Sequence, residues 1–555
     1  MKSISLSPEA AAALGTDAGM YTPAVLMRLI VKAPVDLLWN GGIGTYVRAD
    51  TETDLDVGDR ANDAIRVSAS QLRCRVIGEG GNLGMTQLGR IQFALRGGRV
   101  NTDAIDNAAG VDCSDHEVNI KVLLNQMVSD GEMTLKQRNR LLAQMTDDVA
   151  TLVLRNNYRQ TQTLSLAGAQ AASMVDVHAR LMRDLELRAN LDRDIEFLPA
   201  TDALAERRAN KIGLAAPELA VLLAYVKIDV YKSLLGSSFA NDVAANQELL
   251  AYFPDVLATE YESQVLAHRL RPEIVSTVVA NEIVNRAGTS FVFRVHEETG
   301  ADVDDIARAY LCARDIFQIE ALWAEVDALD NEVDAAVQSA MLLRARRVLE
   351  RASRWLLSNA TRPLDVLELT EFYRAGIETV GRQLVASLGA MALRELQSNI
   401  EAWSAAGVPA VLAERAAGLD EILAALDLVQ VAHQTHTPVQ VAEGVYFRLL
   451  ESLQLGWLRN QVTALPRGNN WQALARSALR DDLLGLAAVL CADVLKIPSE
   501  APVEERLAAW EERNQRAVSR CRQVLQDLAA GGNIDFAMLS VALRELRLLS
   551  ARAAP

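Results

Sequence analysis

The sequence is poor in the features that mark several large classes of protein. It has no excess of positive charge: 56 Lys and Arg stand against 72 Asp and Glu, a net charge of −16. Nucleic acids and anionic membranes both demand a basic face, so neither is expected as a partner. Cysteine is scarce, with only Cys74, Cys113, Cys312, Cys491 and Cys521, far apart and without a C-x-x-C pair. That suits free thiols in a reducing cytoplasm and provides neither a disulfide framework nor a zinc site. Histidine adds no metal: the nearest pair, His433 and His436, runs into Pro438 and reads as a loop. The N-terminus has one lysine and no apolar core, so it is not a signal peptide. The most apolar run, LLGLAAVLCADVL, is thirteen residues long and contains Asp493, which suits a buried helix better than a membrane span.

What remains is a large, core-forming chain. Its 555 residues, half of them hydrophobic, allow roughly two to four domains of ~150 residues. The grammar changes near residue 125. Before it, glycine clusters punctuate short apolar runs: VDLLWNGGIG, CRVIGEGGNLG, ALRGGRVNTDAI. Ser7-Pro8 and Thr22-Pro23 each open a helix, with Pro34 closing the second and VDLLW starting a strand. DRANDAIRVSASQLR reads as a further helix leading into CRVI. Alternating helices and strands predict an α/β region, a partial Rossmann-like parallel sheet, over 1–125. From 126 to 555 apolar residues recur at helical spacing, which predicts a large all-α region with room for two subdomains. TSFVFRV at 289–295 is the one segment there that reads equally as strand or helix.

The stretch CRVIGEGGNLGMTQLG resembles a dinucleotide fingerprint. Gly78, Gly80 and Gly84 are spaced G-x-G-x-x-x-G, and Asp103 follows nineteen residues after Gly84. Three features argue that it is not the phosphate turn opening a Rossmann domain. The strand LRCRVI alternates, as a half-wet strand does. Glu79 and Asn82 place polar side chains inside the turn. A second glycine loop, WNGGIGTY at 39–46, also ends a strand. Two such loops form either the walls of one crevice or merely tight connections. Asp103 is then expected in a strand leading to Asn107, away from any ribose. Trp39 is a crevice wall or a core residue. The acidic run at 50–63 reads as solvated surface, and Ser114 with Glu117 makes an S-x-x-E capping box if a helix starts there.

Taken together, VDLLWNGGIGTYV, DVGDRANDAIRV, CRVIGEGGNLGMTQLGRIQFAL and GGRVNTDAIDNAAGVDCSDHEVNIKVLLNQ closely resemble the large NAD-specific glutamate dehydrogenases of bacteria. The helical half resembles the same family through LMRDLELRANLDRDIEFLPATDALAERRANKIGLAAPELAVLLAY, YFPDVLATEY and HRLRPEIVSTVVANEIVNRAGTSFVFRV. The resemblance implies NAD as cofactor and L-glutamate and 2-oxoglutarate as substrate and product. It implies Asn82 and Asn107 beside the nicotinamide, with Asn107 also at the substrate, and Ser114 on the glutamate side-chain carboxylate. Gly41 and Gly42 are implied near the cofactor's ribose and pyrophosphate, where they replace an alanine pair. Asp115 and His116 stand where smaller glutamate dehydrogenases carry aromatics. The family's catalytic lysines, proton-relay aspartate and phosphate fingerprint align upstream of Met1. The resemblance therefore implies a C-terminal portion of a longer homo-oligomeric enzyme, with no catalytic acid or base of its own and no activity alone. The alternative is a helical oligomerisation or regulatory module.

Overall fold

Capping sets the first elements. In the computed structural model, which describes residues 2–466, 468–497, 502–532 and 534–553, Ser7 accepts from the Ala10 amide and opens α1 (Pro8–Leu14). Thr22 does the same for α2 (Pro23–Val31). Two short strands flank α1, β1 (Ile4–Leu6) and β2 (Gly19–Tyr21), and pair antiparallel. Sequence reading misses this hairpin because a helix interrupts it. The chain then forms β3 (Leu37–Asn40), β4 (Val47–Arg48), α3 (Asp54–Val57), β5 (Val67–Ser68) and β6 (Val76–Glu79). β3 and β6 are parallel, Leu37 opposite Val76 and Asn40 opposite Glu79, and β4 and β5 are parallel as well.

The expected Rossmann-like sheet is corrected here. Among the described residues each sheet has two strands, and single bridges, Val47 to Met85 and Val76 to Arg99, extend them. The strands are too short to build a continuous layer, and the fold is dominantly helical. The expected helix over 59–73 is also absent. Two 3-10 turns bracket β5 instead. Arg66 accounts for this. It is buried, and its guanidinium donates to the carbonyls of Thr45 and Asp59 and to Asp54 and Asp63. The acidic run is largely exposed, as expected, and Thr53 with Asp56 caps α3; Asp54, Asp59 and Asp63 also surround this one buried cation. Val67 in turn donates its amide to Tyr46 across the strands, which a helix would forbid.

Beneath the parallel pairs lies a core of Val47, Val67, Cys74, Ile77, Met85, Phe93 and Val100. Next come α4 (Gln87–Leu95), α5 (Asp103–Asp106), α6 (Ala108–Ser129), α7 (Leu135–Gln144) and α8 (Thr146–Gln170). They are followed by α9 (Val175–Arg188), α10 (Thr201–Ala209), α11 (Ala216–Leu235), α12 (Asn246–Tyr252), α13 (Asp255–Glu260), α14 (Glu262–Leu266) and α15 (Arg271–Ala287). The chain separates into two compact units, Met1–Phe293 and Arg294–Pro555. The boundary expected at 125/126 falls inside α6, so the change of grammar marks the end of the strands and not the end of a unit. TSFVFRV is no strand: Thr289 and Ser290 form a turn, and the rest opens the helix Phe291–Thr299.

The second unit is helical throughout its described residues. Its helix Val303–Ile316 is buried along almost its whole length and presents Ala307, Ala309, Cys312 and Ala313 to its neighbours. Small side chains let the helices Ala335–Asn359 and Val366–Ser387 pack closely on it. The apolar run LLGLAAVLCADVL lies in the helix Asn470–Leu495, with Leu490, Cys491 and Val494 buried. Among the described residues no helix is long and apolar enough to cross a membrane.

An ion cluster is buried in this unit. Glu350 pairs with Arg294 and Arg354, and Arg354 pairs with Glu298, which accepts from Ser477 at 2.9 Å. Burial alone would raise the Glu350 carboxyl, but the guanidiniums of Arg294 and Arg354 hold it down at about 2, below its ordinary 4.5. A carboxylate depressed in this way stabilises the fold above pH 4.5 and loses that contribution as pH falls towards 2. The contribution is on the order of 3 kcal/mol. In Glu350→Gln the difference in unfolding free energy from wild type should shrink as pH drops through this window. A difference constant across it would show that Glu350 is not ionised in the fold.

Candidate functional site

The carboxyl ends of β3 and β6 carry the two glycine loops, 39–46 and 80–84, and the structure brings them together. Gly81 donates its amide to the Asn40 carbonyl at 3.0 Å, and Tyr46 donates to the Gly84 carbonyl at 2.9 Å. Gly81 must be glycine for this approach: a Cβ there would sit 2.4 Å from the Gly42 carbonyl oxygen. On the outer face the Trp39 indole lies across Gly80, where a Cβ would be 2.5 Å from the ring. Trp39 is 60% exposed, so it is not a core residue. Gly41 and Gly42 are exposed beside it.

Loop 80–84 is held from behind by buried charge. Glu79, the last residue of β6, is fully buried and forms a two-pronged pair with Arg90 of α4, at 2.7 and 2.9 Å. Its Oε1 also accepts the Met85 amide at 3.0 Å, and its own amide donates to Asp106 at 2.9 Å. Burial pushes the Glu79 carboxyl above its ordinary value, against the pull of Arg90. Arg90 reaches Asp103 at 3.2 Å, and Asp103 accepts the amide of Leu83 at 2.8 Å. Leu83 has φ +58°, a left-handed conformation that disfavours a leucine and that this hydrogen bond helps to hold. Asp103 thus clamps the loop. It starts α5, correcting the expected strand, and its carboxylate is already engaged.

The clamp presents Asn82. The Asn107 Nδ2 donates to the Asn82 Oδ1 at 2.7 Å, joining residues that lie 25 positions apart. Asn107 sits at the junction of α5 and α6 and makes no side-chain cap, which leaves its amide free for this contact. Ser114 is exposed on α6. The expected S-x-x-E cap is not formed, because α6 starts at Ala108 and Ser114 lies in its interior. Seven residues separate Ser114 from Asn107, two helical turns or ~10 Å on the same face. The substitution of His116 for an aromatic is also accommodated: its ring is buried and stacks on Tyr252 at 4.2 Å. Burial lowers the His116 pKa, with Asp112 and Asp115 acting in the opposite sense.

A cavity of about 560 Å³ opens beside the Asn82–Asn107 pair. Its far wall comes from helices whose sequence shows no motif: Asn156 and Gln160 on α8, Lys227 on α11 and Asn281 on α15. Ser114, Gly41 and Gly42 do not line it. The Lys227 Nζ donates to Gln160 Oε1 at 2.6 Å, and burial pushes its pKa down to about 7, with Asp112 pulling it up. The one sequence signal for this wall is a lysine inside the apolar helical run AVLLAYVKIDVY.

Comparison with known proteins gives the family. Residues 1–167 match the family described as "Bacterial NAD-glutamate dehydrogenase, catalytic domain", and residues 211–548 match "Glutamate dehydrogenase, C-terminal". The chain is 44% identical over 548 residues to a protein of Pseudomonas aeruginosa named NAD-specific glutamate dehydrogenase. It is 42% identical to one of the same name from Halomonas elongata and 39% identical to one from Mycobacterium tuberculosis. Each match covers 98–99% of this chain and 34% of the relative, so the chain spans about a third of the length of these relatives. The chain belongs to the glutamate dehydrogenase family that the C-terminal description covers.

The clamp is open to a direct test. Arg90→Met leaves the Glu79 carboxylate buried without its partner, which should cost about 3–5 kcal/mol in urea unfolding of the chain. A loss below about 1 kcal/mol would show that the pair does not hold the loop.

Proposed function

We propose that the chain serves the NAD-dependent oxidative deamination of L-glutamate to 2-oxoglutarate and ammonia, as part of a homo-oligomeric enzyme. The observation that carries this reading is the 2.7 Å hydrogen bond that sets Asn82 and Asn107 side by side at the carboxyl ends of the parallel strands. After that bond the pair still offers one carbonyl oxygen, on Asn107, and one amide donor group, on Asn82. Those are the acceptor and donor that a primary carboxamide such as that of nicotinamide requires. The exposed backbone of Gly41 and Gly42 has room for a pyrophosphate or ribose, and the Trp39 indole gives an apolar wall. The residues present therefore fit NAD, which when bound accepts the hydride.

The chain's own residues bind and orient. Asn107 divides its amide between the cofactor side and the substrate side. The Ser114 hydroxyl, two turns along α6, donates to the side-chain carboxylate of glutamate without adding charge. None of these groups is an acid or base, so their share is positioning. The reading places the chain in a reducing cytoplasm, which suits its five free cysteines.

NADH fluorescence titration of the 555-residue chain tests the assignment. Asn82→Ala and Asn107→Ala should each weaken NADH binding about fivefold, the worth of one hydrogen bond. Ser114→Ala should leave NADH affinity unchanged while weakening L-glutamate. Equal NADH affinity in all three variants, or no NADH binding by the wild type, would sink the assignment.

A further inference from the structure

The cavity beside Asn82 and Asn107 is lined largely by neutral amides, and its charged groups differ sharply in how well they are satisfied. Asp103 is held by Arg90 and by the Leu83 amide. Asp112 accepts from Asn156 at 2.9 Å and lies 3.7 Å from the His116 ring. Asp115 faces the Tyr252 hydroxyl at 3.4 Å. Lys227 is the exception. Its ammonium has three N–H groups, and the one hydrogen bond seen for it goes to the neutral Gln160. Among the described residues no carboxylate pairs with it. Lys227 is half-buried, and a lysine drawn part-way out of water for structural reasons is ordinarily paired, because desolvating an unpaired cation is costly. Close by, the Asn157 Oδ1 is buried without a hydrogen-bond partner and lines the same cavity.

We propose that Lys227 is the carboxylate anchor of this cavity, and that the cavity takes a small zwitterionic amino acid with its carboxylate on Lys227 and its ammonium towards Asp112 and Asp115. This extends the proposed reaction site: it gives the amino acid a charged contact from α11 inside the cavity, which Ser114 does not line, and it rests on that reading only for the choice of amino acid. The charge balance favours this ligand over its alternatives. A simple anion would meet three aspartates, and a simple cation would meet Lys227. A zwitterion answers both, and the amide side chains are indifferent to sign. Lys227 also has the reserve such a role needs. Burial leaves its pKa at about 7, and an arriving carboxylate restores the charged form. The other charges around it are settled: Asp112 on α6 acts on it directly, and Arg159 of α8 is paired with Glu282 of α15 at 3.1 Å. Arg286 of α15 donates to Gln162 at 3.1 Å.

The test is calorimetric titration of the 555-residue chain with L-glutamate and with 2-oxoglutarate. L-glutamate should bind, and more tightly than 2-oxoglutarate, which lacks the ammonium. Lys227→Met should weaken L-glutamate about tenfold or more, and Lys227→Arg should keep it within about threefold, in line with a charge-assisted hydrogen bond. The wild type supplies a second measurement that needs no variant. Its L-glutamate affinity should fall roughly tenfold per pH unit above 7, as Lys227 loses its proton, and Lys227→Arg should abolish that fall. Unchanged glutamate affinity in a folded Lys227→Met protein, a flat wild-type pH profile, or tighter binding of 2-oxoglutarate than of L-glutamate would overturn the proposal. Because NADH binding is read separately through Asn82 and Asn107, such a result leaves the cofactor assignment standing.

Discussion

One buried carboxylate organises the site. Glu79 ends a strand where an apolar residue would be easier to accommodate, and it brings a full negative charge into the interior. The desolvation cost is offset because both oxygens find donors: the Arg90 guanidinium on both and the Met85 amide on one. Each of those bonds also constrains the chain. Arg90 ties loop 80–84 to α4 and, through Asp103, to the start of α5. Asp106 fixes the amide of Glu79 from the same short helix. Asn82 and Asn107 therefore meet because two loops and a helix junction are fastened to one ion pair. Their contact is a consequence of this buried charge and needs no contribution from sheet hydrogen bonding.

This explains what could and could not be read from the sequence. The helix starts at Ser7 and Thr22 are local events, a hydroxyl within three residues of an orphan amide, and the residues reveal them directly. The placing of the two glycine loops at the ends of successive strands was likewise legible, because both follow apolar strands. The segment 59–73 misled because its composition is helical while its conformation is dictated by Arg66, whose partners Thr45 and Asp54 lie outside it. Tertiary demand for a buried guanidinium outweighs local propensity there. Asp103 shows the same limit. Its spacing after Gly84 suggests a ribose ligand, yet its carboxylate is taken up by Arg90 and Leu83. Such commitments depend on geometry across the fold and leave no periodic trace.

The far wall of the cavity lay beyond any such reading. Asn156, Gln160 and Lys227 come from helices separated from Asn82 by between about seventy and one hundred and fifty positions. Each looks like an ordinary polar residue on an amphipathic helix. Only the packing of α8 against α5 and α6, and of α11 and α15 against α8, turns them inward together. The change of sequence character near residue 125 suggested a domain boundary where the strands end. The structure places the first compact unit's limit at Phe293 instead.

The cavity also joins what the two family descriptions keep apart. Asn82, Asn107 and Gln160 fall within residues 1–167, while Lys227 falls within 211–548. If the C-terminal region were only a body for assembly, α11 would have no reason to place a cation against the polar cavity beside Asn107. A leucine would pack there at lower cost, since it forfeits no hydration. A half-buried, sparsely partnered ammonium at that point, with one hydrogen bond to Gln160 of α8, is a cost that the fold carries. Costs of that kind concentrate where a ligand repays them. The helices α8, α11 and α15 of the first unit therefore line the cavity beside Asn107 as well as supporting it.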